Sequence, residues 1–99
     1  MAHRVAREAE ADLDEIWLYV ATESGHMDVA TRLIDWITDR FFFLASFPYA
    51  GRARDDDFGI GSRSFTVGEY VIVYCVEGED VLILRVVHGK RHLEDLFGQ

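Results

Sequence analysis

The apolar positions of this chain change period half-way along. Between residues 7 and 22, Ala9, Leu13, Ile16, Trp17 and Val20 follow at steps of four, three, one and three, which is one face of an α-helix. Ser24-Gly25 ends that helix through glycine's tolerance of positive φ. A second helix is predicted over residues 28–45, with Ala30, Leu33, Ile34, Ile37, Phe41 and Leu44 as its core stripe and Pro48 as its stop. From residue 63 the helical period gives way to runs typical of strands, at 63–67, 70–74 and 81–89. Gly68-Glu69 and Glu77-Gly78-Glu79-Asp80 join them as turns, so the three runs form a meander. His3-Arg4-Val5 reads as a short first strand, and residues 91–97, with Leu93, Leu96 and Phe97, as a short last helix. The fold class is therefore α+β: an N-terminal strand, a helical hairpin packed on an antiparallel meander, and a short C-terminal helix.

Several positions carry expectations of their own. Val29, Trp36 and Phe43 repeat every seven residues beside the stripe of the second helix. A thick core wrapped by the long loop 49–61 accounts for them, with Trp17 and Trp36 inside it; a partner groove is the other reading. Glu8, Glu10, Asp12, Asp14 and Glu15 read as a solvated acidic face near a helix N-terminus. Along the last strand, Leu82, Leu84, Val86 and His88 alternate with Val81, Ile83, Arg85 and Val87. Both faces are then apolar. A helical hairpin covers one of them, so the other, with Arg85 on it, is expected to be partly open and to receive a second chain.

Length and composition narrow the class. At 99 residues, with 49% hydrophobic and 13% aromatic residues, the chain reads as one folded domain, 1–99, with a modest core. Ten Lys and Arg against 18 Asp and Glu give a net charge of −8, which disfavours broad binding to nucleic acid. Cys75 is the one cysteine and excludes an internal disulfide; it reads as a small strand hydrophobe in a reducing, cytoplasmic setting. Arg4, Arg7 and Glu8 leave no apolar leader, and no apolar run reaches the ~20 residues of a membrane span. Asp55-Asp56-Asp57 lacks the spacing of a calcium loop, and Gly59-Ile60-Gly61 lacks the strand and helix of a phosphate-binding turn. No cofactor and no metal are expected.

Four stretches, taken together, carry a resemblance: Ala9-x-x-Asp12-Leu13-x-x-Ile16-x-x-Tyr19; Leu44-x-x-Phe47-Pro48-x-x-Gly51-Arg52; Gly61-Ser62-Arg63-Ser64-Phe65-x-Val67-x-x-Tyr70-x-Ile72-x-Tyr74; and Ile83-Leu84-Arg85-Val86-Val87-His88-Gly89-x-Arg91. In order and spacing they resemble the RelE/ParE superfamily of type II toxin–antitoxin toxins, and the His88-Gly89-Lys90-Arg91 ending fits the ParE branch best. The resemblance implies a growth-arresting toxin that poisons DNA gyrase by protein–protein contact. It also implies neutralisation by a cognate antitoxin, ParD-like or other, encoded beside it. RelE-type relatives instead cut messenger RNA on the ribosome. Arg52, Arg54, Arg63 and Arg85 match the basic places of such a nuclease by position, with His88 or His92 as the imidazole. That reading lacks the C-terminal tyrosine, since no Tyr follows Tyr74, and it sets a chain of −8 against ribosomal RNA. A family member that binds antitoxin without being toxic is the third reading. For partner contact the candidates are Arg63, Arg85, Lys90 and Arg91, whereas internal ion pairs of Arg63 and Arg85 with Asp55, Asp57 or Glu69 are the plain alternative. His88, before Gly89, has a structural hydrogen bond as its plain alternative.

Overall fold

The computed structural model describes residues 2–89, without the side chain of Phe58. Candidates Lys90 and Arg91, and the expected helix at 91–97, lie outside them. Strand β1 (His3–Val5) leads into helices α1 (Arg7–Ser24) and α2 (Met27–Ser46), a two-residue strand β2 (Arg52–Ala53) and a single turn α3 (Asp55–Phe58). Strands β3 (Ser62–Val67), β4 (Tyr70–Glu77) and β5 (Asp80–His88) complete the chain. The sheet order is β1-β5-β4-β3-β2. β1 runs parallel to β5, because the helical hairpin carries the chain back before the meander begins, while the remaining pairs are antiparallel.

The hairpin forms for the reasons its spacing gives. Glu8 and Glu10 lie in the first turn of α1, where negative charge suits the helix dipole, and Gly25 closes the helix at φ 74°. Ala9 from α1 and Ile37, Phe41 and Leu44 from α2 meet Ile72, Tyr74, Val81, Ile83 and Val86 of the sheet in one buried cluster. α1 lies over β5, and α2 lies mainly over β1 and β5. α2 reaches β3 through Phe43, whose ring centroid is 5.6 Å from that of Phe65.

Four expectations give way here. Strict alternation fails in β5: a bulge sets Val73 opposite Arg85 but Tyr74 opposite Ile83, leaving Leu84 as the extra residue. Leu84 therefore joins Val71, Val73 and Val87 on the second face, while Val81, Ile83 and Val86 share the first. That second face is not bare, since Val71, Val73 and Val87 are all buried. The loop 49–61 does not wrap α2 but forms β2 and α3, so Trp36 is 51% exposed rather than in the core, and Trp17 is half-buried. Finally, Asp12 leaves the acidic surface face: its side chain is only 11% exposed.

Candidate functional site

Two arginines singled out by sequence hold the fold from opposite ends of the sheet. Arg85 donates from Nε and Nη2 to the two carboxylate oxygens of Asp12, at 2.7 and 2.8 Å. The Val86 amide donates to the same carboxylate at 2.9 Å, where β5 has run past the end of β1. A planar guanidinium fork fits a carboxylate in this bidentate way, and Asp12 adds the satisfaction of a strand-edge N–H. The hydrogen bond that Arg85 donates to Asp12 holds the Arg85 pKa above its ordinary value, with burial opposing. The partner is thus Asp12, none of the three acids expected.

Among the described residues, Arg63 has no carboxylate partner. Its Nε and Nη2 donate to the carbonyl of Gly51, and Nη2 also reaches the carbonyl of Tyr49 at 3.3 Å. From the same side, the buried Tyr74 hydroxyl accepts the Gly51 amide and donates to the Pro48 carbonyl, both at 2.8 Å. A Cβ at Gly51 would collide with that hydroxyl and come within 2.7 Å of the Ser64 carbonyl, so only glycine fits. Here is the physical content of Pro48-x-x-Gly51: two sheet side chains fasten the turn after α2 by its backbone.

The fastened turn forms one wall of a groove of about 490 Å³, lined by Phe43, Ser46, Phe47, Pro48, Tyr49 and Ala50. Phe47 is 59% exposed and Tyr49 69%. Two guanidiniums lie over aromatic rings of the lining, Arg40 over Phe43 and Arg63 over Tyr49, each 5.2 Å from the ring centroid. Arg40 Nε is buried and has no hydrogen-bond partner among the described residues. A buried donor left unsatisfied costs about 1–3 kcal/mol, so such a group marks a place where an acceptor is missing.

Of the other candidates, Arg52 and Arg54 neighbour Arg63 along the β2–β3 pairing, and His88 stands apart. Arg54 donates to the Ser64 hydroxyl at 2.8 Å and to Asp57 at 3.2 Å, and Arg52 is exposed on β2. His88 sits 3.0 Å from Glu69 at the far end of β5. Arg63 stands opposite Tyr74 and His88 opposite Tyr70, so His88 lies four rows further along the sheet than Arg63. At roughly 3.3 Å per residue, no single phosphate bridges the two. Among the described residues no three His, Cys, Asp or Glu gather as a metal site, and no helix is long and apolar enough to cross a membrane.

A profile of the ParE toxin of the type II toxin–antitoxin system parDE matches residues 4–93. The chain belongs to the ParE toxin family. It is 34% identical to Toxin ParE3 of Caulobacter vibrioides over 93 residues, covering 94% of this chain and 91% of that toxin. Toxin ParE1 of the same organism is 33% identical over 86 residues, 87% of this chain and 86% of the relative. In three dimensions the ParE-family fold resembles a chain of the chromosomal ParDE toxin–antitoxin system from P. aeruginosa. The TM-score is 0.77 at 24% identity, with 89% of this chain and 95% of that chain covered.

Membership in the ParE family confirms the resemblance read from the motifs and implies a cognate antitoxin. What sequence reading missed is Arg40 and Phe47. They extend the Trp36 and Phe43 positions into a second stripe at 36, 40, 43 and 47, steps of four, three and four along α2. The seven-residue repeat was its visible part.

Proposed function

We propose that this ParE-family toxin arrests growth by inhibiting DNA gyrase through protein–protein contact, and that its cognate antitoxin neutralises it by binding the toxin directly. The family assignment supports the first half of this reading. The observation that carries it against RNA cleavage is that the basic candidates are engaged within the chain and the imidazole stands away from them. Arg85 is committed to Asp12, Arg63 to two carbonyls and Arg54 to Asp57, while His88 stands at another end of the sheet. General acid–base cleavage needs its groups around one phosphate. A contact surface needs no such convergence.

The test combines expression with purified components. Induced expression should arrest growth, and the purified chain should inhibit supercoiling by gyrase and accumulate cleaved DNA, both relieved by antitoxin. Unaffected gyrase together with cleavage of ribosome-bound messenger RNA would replace this reading with the nuclease one. Absence of growth arrest would leave an antitoxin-binding protein without toxicity.

A further inference from the structure

The outer face of α1 carries a large apolar side chain outside the core. Leu18 is 62% exposed, whereas Ala9, Leu13 and Ile16 turn the opposite side of the helix to the sheet. We propose that this outer face docks on a basic protein surface of gyrase, with Leu18 entering an apolar recess and Asp14 and Glu15 meeting cationic side chains around it. This rests on the proposed gyrase reading and adds the surface of the toxin and the chemistry of the target that it fits.

Helical spacing puts Ala11, Asp14, Glu15, Leu18 and Thr22 on one stripe, and all five are exposed. A single exposed leucine is ordinary on a protein surface. What distinguishes this one is its setting. Residues 7–46 hold nine Asp and Glu against three Arg, and every one of the nine except Asp12 is exposed. Of those exposed acids only Asp28 has an ion pair among the described residues, a loose one of 4.0 Å to Arg32. Like charges held together in this way repel one another, and a cationic partner relieves the repulsion where an anionic one adds to it. The same field selects among occupants. Nucleic acid, an anionic lipid surface and a second copy of this chain at net charge −8 are all repelled, which leaves a basic protein surface. An enzyme that holds DNA has to carry such surfaces, because Lys and Arg must line the path of the phosphates. An apolar centre within a charged rim is also the anatomy of a protein contact: the buried side chain supplies affinity, and the charges steer approach and fix orientation. The stripe is presented in fixed form, since the Asp12–Arg85 fork fastens α1 to β5 from its inner side. None of its residues lines the groove at the end of α2.

The experiment measures binding of the full chain to purified gyrase and, separately, to the antitoxin encoded beside the toxin, at a series of salt concentrations. Leu18→Asp should weaken gyrase binding by about 30-fold. Asp14→Lys combined with Glu15→Lys should weaken it by about tenfold at low salt, with the gap to wild type closing as salt screens the charges. Glu79→Lys, at an exposed acid between β4 and β5, changes the net charge in the same sense and should leave the affinity nearly unchanged. Antitoxin affinity should stay at the wild-type value in all three, and circular dichroism must show them folded. Wild-type gyrase affinity in both α1 variants would overturn the proposal. So would a wild-type affinity that does not fall with added salt, or a loss in Glu79→Lys as large as in the α1 charge reversal, since place on the surface would then decide nothing. Loss of antitoxin binding with gyrase binding intact would overturn it by assigning the face to the antitoxin. A wild-type chain that neither binds nor inhibits gyrase would overturn the gyrase reading itself, and this inference with it.

Discussion

The two flanks of the helical layer treat an arginine in opposite ways. On the β5 side, Arg85 is closed against Asp12 with both forks of the guanidinium used and a strand-edge amide satisfied by the same carboxylate. On the β2 side, Arg40 sits over Phe43 with a buried Nε that finds no acceptor among the described residues, next to aromatics that face solvent. The contrast separates two settings of one residue type: completed polar contacts mark the part of the molecule that holds itself together, and an incomplete one stands among aromatics that the described residues leave uncovered. Arginine identity alone distinguishes neither. Only the partner atoms do.

The contrast breaks first if the β5 side proves dispensable. Asp12→Ala strands a largely buried guanidinium and the Val86 amide, and should cost about 3 kcal/mol, lowering the Tm by about 15 °C. A shift of only a few degrees in thermal unfolding would demote the pair to an ordinary surface bridge. Next in size is Tyr74→Phe, which leaves the Gly51 amide and Pro48 carbonyl without their partner and should cost about 2 kcal/mol. Thermal unfolding measures it, and an unchanged Tm would show that the turn needs no fastening.

Smaller again is the effect at Cys75, half-buried on β4. Burial raises its pKa, the charge of Glu77 adds to this and Arg4 opposes it. Alkylation at pH 8 should therefore run slower than for free cysteine. The sign for stability follows: a thiol held neutral by the fold contributes stability that is present below its ordinary value of 9.0 and lost as pH rises through the folded value. Faster alkylation than free cysteine would contradict both statements.

Sequence legibility follows the same divide. Periodicity showed α1 and α2 to within two residues at either end and gave the meander with its two turns, because local spacing decides helices and tight turns. The motif Pro48-x-x-Gly51 was visible as a pattern, but its cause was not, since Tyr74 is 23 residues beyond Gly51. Asp12 looked like one of five surface acids because its partner is 73 residues away. The bulge at Leu84 was hidden for a different reason: Leu84 and Arg85 are compatible with either face of a strand, and only the pairing with Val73 decides. Trp36 was read as core since periodicity reports that a position is apolar without reporting whether the chain itself supplies the cover. The groove was legible only as a repeat at 29, 36 and 43, for which a partner groove was the second reading.

The central claim is that completed polar contacts on the β5 flank hold the fold while the exposed aromatics of the β2 flank do not, and thermal unfolding of the wild-type chain, Asp12→Ala and Phe47→Asp tests it most directly. The account predicts a Tm about 15 °C lower for Asp12→Ala and a Tm close to that of the wild type for Phe47→Asp. An Asp12→Ala chain as stable as the wild type, or a Phe47→Asp chain destabilised as much as Asp12→Ala, would contradict it.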